Sequence, residues 1–474
     1  MKNKKAMAII MTAMLTMLTA CGTASSVTTN LTEEAGARSK NADGAEVETI
    51  GQRSDKAAEK AGESAEDEST SPKTGTFSVS AGELDTEDLF SKRDMEQSPD
   101  LYDAENIEVS DDKSITIDSE GIYVISGQSK ETTIYIEAGD EDKIQLVLDN
   151  VTITNSSVPV IYVKSADKVF ITTADGDNNL SVTGAFQADG DTNTDAVIFS
   201  KDDLVLNGTG TLNISSSDNA VASKDTLKIT GGNIVIDCKG NAFEAHDAIE
   251  IADGNVDIKS CNDGLHAKDN GDDTKGYIYI GGGTFSITAA DDAIHATHFV
   301  RIDGGNLKLN GAEGIEATVI QVNDGTVDIT ASDDGINAAR KSNATTPSFE
   351  LNGGEITINM EAGDTDGVDS NGDITINGGT LSITGRSTFD CDGKATYNGG
   401  TIIENGKETN SITNQMMGGR GSRGGMGNKF GTDNDINMKN RTEDNSDNLI
   451  ERGKMKERGR NRMQDKDWMT NSDQ

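Results

Sequence analysis

The sequence predicts an all-β fold, a parallel β-helix of three short strands per coil, and three observations predict it. Seven segments of the chain overlay on one another: Asn219-Ala-Val-Ala, Asn241-Ala-Phe-Glu, Asp263-Gly-Leu-His, Asp292-Ala-Ile-His, Glu313-Gly-Ile-Glu, Asp334-Gly-Ile-Asn and Asp366-Gly-Val-Asp. They recur at steps of 22, 22, 29, 21, 21 and 32 residues, and the two long steps hold polar inserts, Asp269 to Gly276 and Lys341 to Pro347. Each repeat then runs through a short strand (Val300-Arg-Ile302, Ile374-Thr-Ile376), a Gly-Gly or Asp-Gly turn (Gly304-Gly305, Asp324-Gly325, Gly378-Gly379) and another short strand (Val327-Asp-Ile329, Leu381-Ser-Ile383). The third observation is composition: Gly 52, Pro 4 and aromatics at 4%.

A unit of about 22 residues cannot bury its apolar face alone. Stacked units can, with each strand paired in parallel to its counterparts above and below. Small residues at Ala245, Ala267, Ala296, Ala317 and Ala338 suit a narrow stacked core. A propeller blade needs a longer repeat, and antiparallel hairpins need different turn chemistry.

Along the chain, Lys2, Lys4 and Lys5 precede a short apolar run from Ala6 to Leu18, too short for a permanent membrane span. It ends in Leu18-Thr19-Ala20-Cys21-Gly22, the pattern of a bacterial lipobox, so residues 1–21 read as a lipoprotein signal with lipid on Cys21. The protein is then expected to be membrane-anchored by lipid and to face outside. Residues 22–84 are polar and poor in large apolar side chains, and read as a disordered tether. Residues 85–410 read as the β-helix domain, opening with alternations such as Ile122-Tyr-Val-Ile125 and Ile144-Gln-Leu-Val-Leu148. Residues 411–474, rich in Gly, Met and Arg, read as a disordered tail. Cys238, Cys261 and Cys391 are an odd set and argue against a full disulfide framework; Cys238 and Cys261, about one repeat apart, could pair across neighbouring coils, but buried thiols are the better reading.

Asp and Glu outnumber Lys and Arg by 81 to 42, a net charge of −39. That charge repels nucleic acid and anionic lipid and suits divalent cations. The overlay concentrates it. One column reads Asn219, Asn241, Asp263, Asp292, Glu313, Asp334, Asp366, and three residues on another reads Ala222, Glu244, His266, His295, Glu316, Asn337, Asp369. Stacked strands lie about 4.8 Å apart. Two carboxylates about 5 Å apart repel by about 3 kcal/mol at an effective dielectric of about 20, so the run calls for protons or cations. Hard oxygen ligands suit Ca²⁺. Asp and Asn also favour turns for their own backbone bonding, which is the plainer reading of the same residues. Asp189-Gly-Asp191-Thr-Asn193-Thr-Asp195 resembles half of a Ca²⁺ loop but lacks its sixth-position Gly and distal Glu. Asp364, Asp366, Asp369 and Asp373 form a third acidic group. Zinc would call for more His or Cys than the column offers. His266, Lys268, His295 and Arg301 are the candidate groups for meeting a sugar acid, and no flat aromatic stacking platform is visible.

Several stretches together resemble the pectate-lyase-like, calcium-binding β-helix family of carbohydrate-binding domain proteins found on clostridial cell surfaces. They are Phe90-Ser-Lys-Arg-Asp94, Ile144-Gln-Leu-Val-Leu-Asp-Asn-Val-Thr-Ile153, Ile161-Tyr-Val-Lys-Ser-Ala-Asp-Lys-Val169, Ala196-Val-Ile-Phe-Ser-Lys-Asp-Asp-Leu204 and the Asp-Gly-Ile-His-Ala type rungs. The resemblance implies a right-handed β-helix, surface display, bound Ca²⁺ and affinity for plant-wall polysaccharides, including cellulose and polygalacturonate. The expected function is therefore Ca²⁺-dependent binding of an acidic polysaccharide by a monomer. A lyase would need Ca²⁺ on the uronate and a Lys or Arg base, for which Lys268 is the best placed. A structural surface protein is the third alternative.

Overall fold

The computed structural model describes residues 77–78, 83–362 and 365–413. Cys21, Asp364, nearly all of the expected tether and all but the start of the expected tail lie outside the described residues. The described part is all-β: strands and turns with no helix. From Glu105 to Glu404 every strand pairing is parallel, and a typical strand pairs with the third strand before it and the third after it. Thr226–Ile229, for example, pairs with Asp203–Gly208 below and Ala248–Ile251 above. Antiparallel strand pairing is found at the ends of the described part, Phe77–Ser78 with Glu83–Leu84 and Thr401–Glu404 with Lys407–Thr409, and one isolated antiparallel bridge joins Asp189 and Thr192.

The pairings form three ladders. One, of 12 strands, carries the Asp-Gly-Ile-His segments and runs from Ile115–Ile117 to Ser387–Cys391. We call it the rung ladder. The other two, here the middle and return ladders, join through the long strands Gly121–Lys130 and Lys143–Asn155. The first half of each long strand pairs in the middle ladder and the second half in the return ladder.

Strand alternation explains the core. In the return ladder Ile234, Val256, Phe285, Leu307, Val327, Ile356 and Leu381 stack in register and are buried, while the residues between them face out. In the rung ladder Phe243, Leu265, Ile294, Ile315, Ile336, Val368 and Phe389 occupy one buried line. Ala245, Ala267, Ala296, Ala317 and Ala338 are buried as the sequence predicts. Cys238, Cys261 and Cys391 are buried in this core.

The Gly-Gly turns have two distinct causes. A Cβ at Gly353 would lie 2.3 Å from the Asn323 carbonyl oxygen on the coil below, so only Gly allows the coils to approach. Gly354 has φ +76, a region an L side chain enters at a cost of about 1–2 kcal/mol. Just before these turns a chain of side-chain amides climbs the stack. Asn323 donates to Asp303, Asn352 to Asn323, Asn377 to Asn352 and Asn398 to Asn377, all at 2.7–2.8 Å.

An N-terminal strap covers part of the middle ladder. Leu84, at the end of the expected tether, is buried against Ala248, Tyr277, Phe299 and Val319. Leu89 is buried too, and Gln97 bonds to Thr230 and Gly208. One apolar residue among polar neighbours carries too little sequence signal to mark where packing begins.

Candidate functional site: an acidic column on the rung ladder

The two columns read from sequence are true columns. Asp292 pairs with Glu313 and Asp334 with Asp366 in the first. Glu244, His266, His295, Glu316, Asn337, Asp369 and Asp390 follow one another in the second. Gly264, Gly314, Gly335 and Gly367 follow first-column residues because a Cβ there would strike the backbone or isoleucines of the stack. At Gly335 the distance is 2.4 Å to Ile358 Cγ2.

First-column side chains do structural work. The amide N–H of Asn241 donates to Asn219 Oδ1, that of Asp263 to Asn241 Oδ1, that of Asp292 to Asp263 Oδ1, and that of Asp366 to Asp334 Oδ1. Each side chain satisfies a backbone donor of the next coil. The turn reading is thus part of the truth at these positions.

Repulsion in the lower half is relieved in part internally, though burial, with Glu316 and Asp263 adding to it, still pushes the Asp292 carboxyl up to about 6. His266 Nδ1 lies 2.6 Å from Asp263, and His295 Nδ1 lies 2.6 Å from Asp292 and 3.1 Å from Glu316. The two rings stack at 4.7 Å, one strand spacing, and 5° from parallel. Lys341 Nζ reaches Glu316 at 2.5 Å. Burial pulls the His295 imidazole pKa down, but the bonds to Asp292 and Glu316 outweigh it and push it up to about 10. Burial likewise raises Asp263 and Glu316, and their histidine partners overcome it, holding Glu316 down at about 2. His295 is therefore expected to be an imidazolium at neutral pH. Because its folded value exceeds the ordinary one, its stabilisation is complete below about pH 6.5 and is lost as pH rises through about 10. An NMR titration of its ring protons should show no midpoint between pH 5 and pH 8; a midpoint near 6.5 would contradict the clamp.

The upper half has a different balance. Glu313 is pushed up to about 9 by burial and by Glu316 and Asp292. Asp334 is pushed up to about 7 by burial, with Asp369, Asp333 and Asp366 adding to it. Asp369 is pushed up to about 6 by burial, with Asp390, Asp366 and Asp392 adding to it. In their midst Asn337 donates its amide hydrogens to Glu313 and Glu316, and its Oδ1 is buried without a partner. A cluster of carboxylates around an unpartnered buried amide oxygen is a donor set for a hard cation.

The other expected site residues fall elsewhere. Asp189 and Thr192 exchange backbone hydrogen bonds in a tight turn, with Gly190 at φ +60. Asp189 accepts from Tyr162 Oη, exposed Asp191 follows it, and Asp195 lies buried against Asn193. Lys268 is half-buried just past the strand Leu265–Ala267. Arg301 sits on the middle ladder, bonded to Asp303 and to the Leu84 carbonyl of the strap, so it does not share a surface row with the histidines.

One feature was missed in the sequence. Tyr135, Tyr162 and Phe199 occupy the lower continuation of the second column, through Ala222 to Glu244. Their rings lie 5.9 and 5.5 Å apart, with Lys164 4.6 Å above Tyr135. Tyr162 and Phe199 are buried. Their sequence spacings of 27 and 37 residues hide the alignment, because these coils are longer than the repeat.

The described residues thus form an all-β stack of parallel strands that displays a column of carboxylates. Residues 111–359, and again 315–409, match the family of carbohydrate-binding domain-containing proteins, and the chain belongs to that family. A carbohydrate-binding domain-containing protein of Acetivibrio thermocellus is 34% identical over 165 residues, covering 33% of this chain and 55% of that protein. The chain thus spans about half the length of the curated relative it matches. A solved structure of the polysaccharide lyase-like protein from C. thermocellum, a gadolinium derivative, is similar at 26% identity and a TM-score of 0.37. That match covers 61% of this chain and 98% of that one.

Proposed function

We propose that this chain binds an acidic polysaccharide of the polygalacturonate class through Ca²⁺ held on the upper rungs. The observation that carries it is the group of mutually repelling carboxylates, Glu313, Asp334, Asp366 and Asp369, around the unpartnered Asn337 Oδ1. An acidic protein and an acidic sugar repel unless a cation joins them, and Ca²⁺ can take oxygens from both. His266, His295 and Lys268 lie along the lower rungs, where a sugar acid following the column would meet two imidazole rings and an ammonium group. The loop carboxylates Asp189, Asp191 and Asp195 are a second, lesser Ca²⁺ candidate. The same reading makes the stack a right-handed β-helix with three strands per coil, in a monomer anchored outside the membrane by lipid on Cys21.

The test is retention of the protein on polygalacturonate with Ca²⁺ and with EDTA. Retention lost in EDTA is expected; equal retention in both would sink the reading. Release of unsaturated product absorbing in the ultraviolet would instead make the chain a lyase, with Lys268 as its candidate base.

A further inference from the structure

A second cluster lies at the corner where the rung ladder turns into the middle ladder, away from the acidic column. His246 Nδ1 is 3.0 Å from Asp247 Oδ1 and 3.4 Å from Asp269 Oδ2. Asp247 and Asp269 are buried, while His246 is exposed. The Asp247 backbone N–H donates to the Asp225 carbonyl of the coil below at 3.4 Å.

The polar insert after Ala267 is what brings Asp269 here. The Gly271 and Asp272 amides bind Asp269 Oδ1 at 2.6 and 3.0 Å, which leaves Oδ2 for the imidazole side. Lys275 of the same insert places Nζ 2.6 Å from Asp247 Oδ2. Buried His298 holds the insert through the Lys275 carbonyl at 2.6 Å.

The distances separate this cluster from the histidine clamp. Both contacts of His295 Nδ1, at 2.6 and 3.1 Å, lie within the ordinary N–H···O range, whereas the 3.4 Å from His246 Nδ1 to Asp269 Oδ2 exceeds it. Donors about 2.0 Å from a tetrahedral ion lie about 3.3 Å apart, which the two His246 separations bracket. One imidazole with two carboxylates suits a first-row divalent ion better than Ca²⁺. The exposed side leaves a coordination position for water or a ligand oxygen.

We propose that His246, Asp247 and Asp269 bind a divalent transition-metal ion of the Zn²⁺ class, and that the Lys275 ammonium holds its place until the ion enters. This site is independent of the Ca²⁺ reading.

Zn²⁺ alone is titrated into the full chain in buffer saturated with Ca²⁺, by calorimetry, with Co²⁺ absorption as a second readout. One Zn²⁺ equivalent is expected. His246→Ala, at an exposed position, should weaken it by more than the tenfold to hundredfold (about 10–100) typical of outer-shell changes. Lys275→Met should tighten it severalfold, and Asp334→Asn/Asp369→Asn should leave it intact. The proposal is overturned if no Zn²⁺ binds, if His246→Ala binds as the parent does, or if the equivalent disappears in His295→Ala or the Asp334/Asp369 variant instead.

Discussion

Asp334→Asn/Asp369→Asn is expected to abolish Ca²⁺-dependent retention on polygalacturonate and to weaken Ca²⁺ by about a hundredfold or more, since carboxylate number sets Ca²⁺ affinity over several decades. The fold should survive, because Asn stands in the same columns at Asn219, Asn241 and Asn337. The pH dependence follows from the raised carboxyls at about 7 for Asp334 and about 6 for Asp369. Protons compete with the cation there, so Ca²⁺ affinity should fall as pH drops from 8 to 5. Stability without Ca²⁺ should move the other way. A carboxyl raised in the folded state binds its proton more tightly there than in the unfolded chain, so its contribution is present at low pH and is lost as pH rises through 6 to 7. The metal-free protein should therefore melt higher at pH 5 than at pH 8. Saturating Ca²⁺ should reverse that order, adding about 2.7 kcal/mol at about a hundredfold excess over its dissociation constant. Melting curves that do not respond to Ca²⁺ at pH 8 would count against cations on these rungs.

Lys228→Met is expected to be the most destabilising conservative change, at about 3–5 kcal/mol, the usual cost of removing one partner from a buried ion pair. Lys228 is buried on the middle ladder beneath the strap, 2.7 Å from buried Glu250, and it donates to the Leu89 carbonyl. Glu250 also accepts from Tyr277 Oη at 2.5 Å. Asp94 of the strap stands 3.9 Å from Lys228 and 3.6 Å from Lys168, while its backbone carbonyl accepts from Asn207 and Thr230. The variant strands the Glu250 carboxylate without its cation and loosens the strap. Urea unfolding should show the loss, limited proteolysis should open residues 84–97 first, and Lys228→Met/Glu250→Gln should recover much of it. A loss under about 1 kcal/mol would place this network among weak surface pairs.

The sequence by itself determined the repeat, the parallel all-β stack and the run of both columns from Asn219 to Asp369, because in-register stacking converts a sequence period directly into spatial neighbours. It also made the Gly-Gly turns readable, since only glycine tolerates both the close carbonyl and the positive φ. Tertiary structure alone decided how the column's charge is balanced. His266, His295 and Lys341 reach the carboxylates of the lower rungs and leave Glu313, Asp334 and Asp369 to repel one another, a division that depends on side-chain reach and burial. It alone turned Arg301 to the strap, placed Tyr135, Tyr162 and Phe199 in the column, and brought Asp269 to His246. Those contacts join residues through long coils and inserts, where chain length no longer reports position.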